Sequence, residues 1–130
     1  MLSAMKPSYR YFSWAARIIT ILALIFISLF ALDAFAPELT LGQQLLDFVL
    51  HLIPSLFLLF VLLIAWRWEL MGGIILTTLG VVFSVLVFIH NYTVNRFTVG
   101  QCLATVAMVT LPFVVAGILF LVSHRLRNRL

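Results

Sequence analysis

The chain has 130 residues, of which 65% are hydrophobic and 9% charged, with a mean hydropathy of +1.23. A soluble domain carries about a quarter charged residues, so this composition excludes one and indicates a membrane protein with room for about four spans of ~20 residues. The net charge of +4 does not mark a nucleic-acid binder, because the basic residues gather at the ends of apolar runs rather than in one patch.

Residues 1–16 form a basic, aromatic leader with Lys6, Arg10 and Trp14. Arg17 then opens the first apolar run, a span over about 15–35 with Asp33 near its far end. A basic start, an apolar core and the triplet Ala34-Phe35-Ala36 also describe a cleavable signal peptide. Pro37, just after the would-be cut, and the length of the run favour an uncleaved first helix. Residues 37–42 form the first connection, where Pro37 stops helix one. Thr40 is placed to cap helix two through its hydroxyl.

Helix two is expected over about 44–66. Asp47, His51 and Ser55 recur on it at i, i+4 and i+8, which puts them on one face. An ionised carboxylate facing lipid near the bilayer centre costs about 2.5–3.5 kcal/mol, so this face should turn to the bundle or to a watery pocket. If the helix enters the hydrocarbon near Leu45, a rise of about 1.5 Å per residue puts Asp47 ~3 Å in and His51 ~9 Å in. Asp33 and His90 fall at a similar depth, giving a polar layer of Asp33, Asp47, His51 and His90. Two carboxylates and one or two imidazoles are a competent ligand set for a proton or divalent cation. The same residues read equally as a hydrogen-bond network, with Asp33 and His51 as neighbours across helices one and two. No metal is assigned to the layer.

Pro54 lies within helix two and frees the carbonyl of Leu50. The sequence Trp66-Arg67-Trp68-Glu69 follows, with room for a tight turn only. Trp14, Trp66, Arg67 and Trp68 are read as interface anchors, and Arg67 and Glu69 as solvated at the interface, paired with each other or with lipid headgroups. Helix three is expected over about 70–90. Its residues Gly73, Thr77, Gly80 and Ser84 form a stripe of small side chains, the pattern that lets helix backbones approach closely in lipid. The partner face is helix two, helix four or a second copy of the chain. Residues 91–100 form the loop before helix four, expected over about 101–123 with Pro112 in its middle. Cys102, the only cysteine, excludes an internal disulfide and a cysteine-based metal site.

Four spans put both termini on one side, together with Lys6, Arg10, Arg17, Arg67, Arg125, Arg127 and Arg129, against Arg96 alone on the other. The positive-inside rule then makes both termini cytoplasmic. The fold class is an all-α, four-helix transmembrane bundle with N-in/C-in topology and short loops, a single integral membrane domain over residues 1–130. No phosphate loop, zinc-ligand spacing or nucleophile elbow is present.

The run Leu29-Phe30-Ala31-Leu32-Asp33-Ala34-Phe35, the element His51-Leu52-Ile53-Pro54, and Trp66-Arg67-Trp68-Glu69 with Gly72-Gly73 together resemble a group of small four-helix bacterial and archaeal membrane proteins of unknown function. The resemblance runs from helix one to the start of helix three and implies the four-span fold, with no activity attached. The expected role is that of a non-enzymatic structural or accessory protein of a bacterial inner membrane. It has no cofactor and no nucleic acid, and its partners are the lipid bilayer and a second copy or another membrane protein. The alternative is a small cation or proton carrier working through the outer polar layer.

Overall fold

In the computed structural model, which describes residues 8–129, the chain folds into helices and short connections. The helices are α1 (Ser8–Leu29), continued by a 3-10 turn over Phe30–Ala34, α2 (Leu41–Arg67), α3 (Glu69–Thr93), α4 (Val99–Val109) and α5 (Leu111–Asn128). Among the described residues, α1 with its 3-10 continuation, α2 and α3 are each long and apolar enough to cross a membrane. The pair α4–α5 meets the same test as one unit, bent by 45°. Lys6 of the basic leader lies outside the described residues, and the part of the leader from Ser8 onward is already helix.

Local chemistry explains most of the boundaries. The 3-10 turn that continues helix one ends at Ala34, and Pro37 keeps the helix from resuming, since the residue preceding a proline disfavours helical backbone. Thr40 caps α2 in a capping box: its hydroxyl accepts from the Gln43 amide at 3.4 Å and the Gln43 side chain accepts from the Thr40 amide at 3.0 Å. Thr98 and Gln101 repeat the device at α4, so helix four starts at Val99, two residues earlier than expected. Helix three runs on to Thr93, which shortens the loop. Trp68 alone separates α2 from α3. So short a turn presses the helix ends together, and a Cβ at Gly72 would collide with Ala65.

Helix four, expected as one span kinked at Pro112, is divided in the structure into α4 and α5, bent by 45°. Pro112 has no N–H and its ring clashes with the carbonyl four residues back, so a helix through it must bend or break. Here it breaks at Thr110, and Pro112 falls in the first turn of α5, where a missing donor costs nothing. Pro54, by contrast, leaves α2 continuous.

Helix α5 packs most extensively on α3 and on α1, and α2 lies against α1 and α3. The core is built largely from small or medium residues: Ala16, Ala23 and Leu24 of α1, Val61, Leu62 and Ala65 of α2, Leu76 of α3, Ala116 and Phe120 of α5. The small stripe of α3 is the seam with the α4–α5 unit. A Cβ at Gly73 would meet Leu121 and the Gly117 carbonyl, and one at Gly80 would meet Val114. Thr77 fills the notch left by Gly117, and the Ser84 and Thr110 hydroxyls lie 2.6 Å apart. On α2 the buried residues begin only at Ser55. Its outer half, from Leu41 to Pro54, is only partly buried and meets the end of helix one, where the Phe35 and Phe48 ring centres lie 5.3 Å apart.

Candidate functional site

Three constellations carry the polar and concave features of the fold, and the first is the layer around Asp47. His51 Nδ1 lies 2.8 Å from the Asp47 backbone carbonyl and 3.6 Å from its carboxylate, so the pair is a contact within one helix turn. Both side chains are about two-fifths exposed. Asp33, exposed in the 3-10 turn, makes no hydrogen bond or ion pair among the described residues, and the expected Asp33–His51 pairing is absent. The physical reason is orientation: the 3-10 turn packs on α2 and buries Ala31 and Ala34, while Asp33 lies on its exposed side. His90 is exposed near the end of α3. Among the described residues no three His, Cys, Asp or Glu side chains converge as a ligand set. Ser55, the third member of the face, is buried and its hydroxyl has no hydrogen-bond partner.

The second constellation is centred on Glu69, which is 5% exposed. Ser13 of α1 donates to Oε1 at 2.6 Å and Ser123 of α5 donates to Oε2 at 3.2 Å. Arg127 places Nη1 3.5 Å from Oε2. The Ser123 hydroxyl also lies 3.0 Å from the Tyr9 carbonyl. The reading of Glu69 as a solvated partner of Arg67 is corrected: with only Trp68 between the helices, Glu69 enters the first turn of α3 facing α1 and α5. A carboxylate there also complements the positive end of the helix dipole. A buried carboxylate is tolerated because Ser13 donates to it, Ser123 shares its hydrogen between it and the Tyr9 carbonyl, and Arg127 lies beside it. The knot ties three helices together at the end that bears both chain termini. Its sequence signal was three polar residues, Ser13, Glu69 and Ser123, at matching heights on helices that end together.

At the same end Trp14, Trp66, Arg67 and Trp68 are all exposed. Arg17, read from the sequence as the start of a span and one of the basic residues of that side, lies between two of them. Its guanidinium carbon is 5.3 Å from the Trp14 ring centre and 5.6 Å from that of Trp66.

The third constellation is a crevice of about 410 Å³ roughly midway along the helices. Ile27 of α1, Phe57 of α2, Phe83 of α3 and Phe113 of α5 wall it, with Pro54, Gly80 and Thr110 at its margins. It lies where the α4–α5 unit bends at Thr110, opposite Pro54 of α2. Thr110 is the sole hydroxyl in the lining, and it is already engaged by Ser84 and by the Val106 carbonyl. The surface is therefore suited to an apolar guest.

Comparison with curated proteins finds no match, and comparison with solved structures finds none. A family model described as a domain of unknown function (DUF7670) matches residues 5–130, nearly the whole chain, and the chain belongs to that family.

Proposed function

We propose that this is a non-enzymatic accessory protein of a bacterial inner membrane, a four-span bundle with both termini cytoplasmic, whose crevice holds a lipid acyl chain. The observation that carries the reading is the crevice itself: about 410 Å³, apolar, and at the depth of hydrocarbon once the tryptophans are set at an interface. Its volume falls in the range of small-molecule sites, about 300–1,000 Å³. A helix ~10 Å across with a 5.4 Å pitch would fit only about one turn into it, so a partner helix is the poorer guest. The orientation is supported by the charge bias and by all three tryptophans lying at the end that bears the termini.

The test is lipid retention through purification in a neutral detergent. The wild-type protein should keep about one phospholipid per chain, as fits a single pocket. Ile53→Trp, which fills the crevice from an exposed position on α2, should lose it while melting unchanged. A wild type stripped bare, or a filled variant that keeps its lipid, contradicts the proposal. The Asp47–His51 contact favours a second reading, a proton or cation carrier. It ranks below the first because Asp33 and His90 do not join that pair.

A further inference from the structure

We propose that Arg17, held between Trp14 and Trp66, binds the phosphate of an anionic phospholipid headgroup in the leaflet facing the chain termini. The site is separate from the crevice: Arg17 lies ten residues before Ile27 on α1, about 15 Å along the helix at 1.5 Å per residue.

The argument begins with unsatisfied donors. A guanidinium carries five N–H groups in a planar fork. Among the described residues Arg17 makes no hydrogen bond and no ion pair, and its Nε is buried without a partner. Its two contacts are with ring faces, at 5.3 and 5.6 Å, and these satisfy none of the N–H groups. The indoles fix where the cation sits without neutralising it.

The second step is the charge balance at that end. Of the four carboxylates in the chain, Asp33, Glu38 and Asp47 belong to the opposite end. Glu69 is the fourth, and it is buried under Ser13, Ser123 and Arg127. Among the described residues no side-chain carboxylate is left for Arg17, so its counter-anion comes from outside them.

Geometry names the source. Trp66 ends α2 at the level where indoles mark a bilayer interface, and Arg17 is level with it. Helix side chains lean toward the N-terminus, which for α1 is the direction of the headgroups, so the long stem of Arg17 delivers its charge to the phosphate layer. A planar fork binds phosphate oxygens in pairs. The exposed indoles supply walls that continue into the acyl region.

The test uses the full-length protein in a neutral detergent. Its melting shift is titrated with dioleoylphosphatidylglycerol, dioleoylphosphatidylcholine and inorganic phosphate. Phosphatidylglycerol should stabilise the wild type beyond phosphatidylcholine. Arg17→Gln should weaken that effect about tenfold, the worth of one charge-assisted contact, whereas Arg129→Gln, an equal charge loss, should stay within about twofold. The selectivity should persist in Ile53→Trp, which keeps this result distinct from the fate of the crevice. Equal losses in the two arginine variants would show diffuse attraction only and overturn the site. No preference for phosphatidylglycerol in the wild type would do the same. A full shift from inorganic phosphate alone would overturn the headgroup assignment. If Arg17→Gln fails to fold, Arg17→Lys keeps the charge but loses the fork. Its expected loss is about threefold, and an unchanged response would count against the site.

Discussion

Removing the Glu69 carboxylate would leave the hydroxyls of Ser13 and Ser123 and the guanidinium of Arg127 without their shared acceptor. Breaking a buried, charge-assisted cluster costs about 2–3 kcal/mol. Glu69→Ala should therefore lower the melting temperature clearly in detergent. Arg127 is about half exposed, and solvent-screened partners contribute less than about 1 kcal/mol. Arg127→Ala should thus be the milder change, and the reverse order would contradict the account of the knot. The Thr40 cap was legible in the sequence because capping is a local matter, decided within four residues. The burial of Glu69 was not, because it depends on three helices ending at one height and on a connection only one residue long. Asp33 illustrates the same limit: similar depth brought it near helix two in expectation, yet contact also required facing side chains.

Among the elements, α3 and α5 form the tightest seam. Gly80 lies against Val114, and a Cβ there would come within 2.6 Å of the valine side chain. Val81, its neighbour, is exposed. Gly80→Leu should part the helices and forfeit the close contacts that hold them in lipid, whereas Val81→Leu should melt like the wild type. Equal tolerance at the two positions, followed by thermal unfolding in detergent, would remove the seam. The small stripe and the first three long apolar helices could be read directly, because periodicity and apolar length are properties of single segments. Choosing the partner face of the stripe required the notch at Gly117, which becomes visible only when α5 is docked. The break at Thr110 was hidden for a related reason: a proline within an apolar run permits either a kink or a new helix start, and packing decides between them.

For the molecule as a whole, charge and depth organise everything proposed above. Six arginines of the described residues, Arg10, Arg17, Arg67, Arg125, Arg127 and Arg129, share the end of the helices that holds the termini, and Arg96 stands alone in the loop at the other end. Composition, with 9% charge, pointed to helices able to cross a membrane, and among the described residues three helices, or four spans with the bent pair, are long and apolar enough to do so. The crevice could not be read in the same way. It lies beside the bend of α4–α5 and is lined by residues of several helices, and no single segment shows how those helices dock. Both the acyl chain in the crevice and the headgroup at Arg17 require the same placement in the bilayer. Reporter fusions that distinguish the two sides of the membrane test that placement most directly. Fusions after Leu130 and ahead of Ser8 should read cytoplasmic, and an insertion at Asn95 should read external; a cytoplasmic reading at Asn95 would contradict the account.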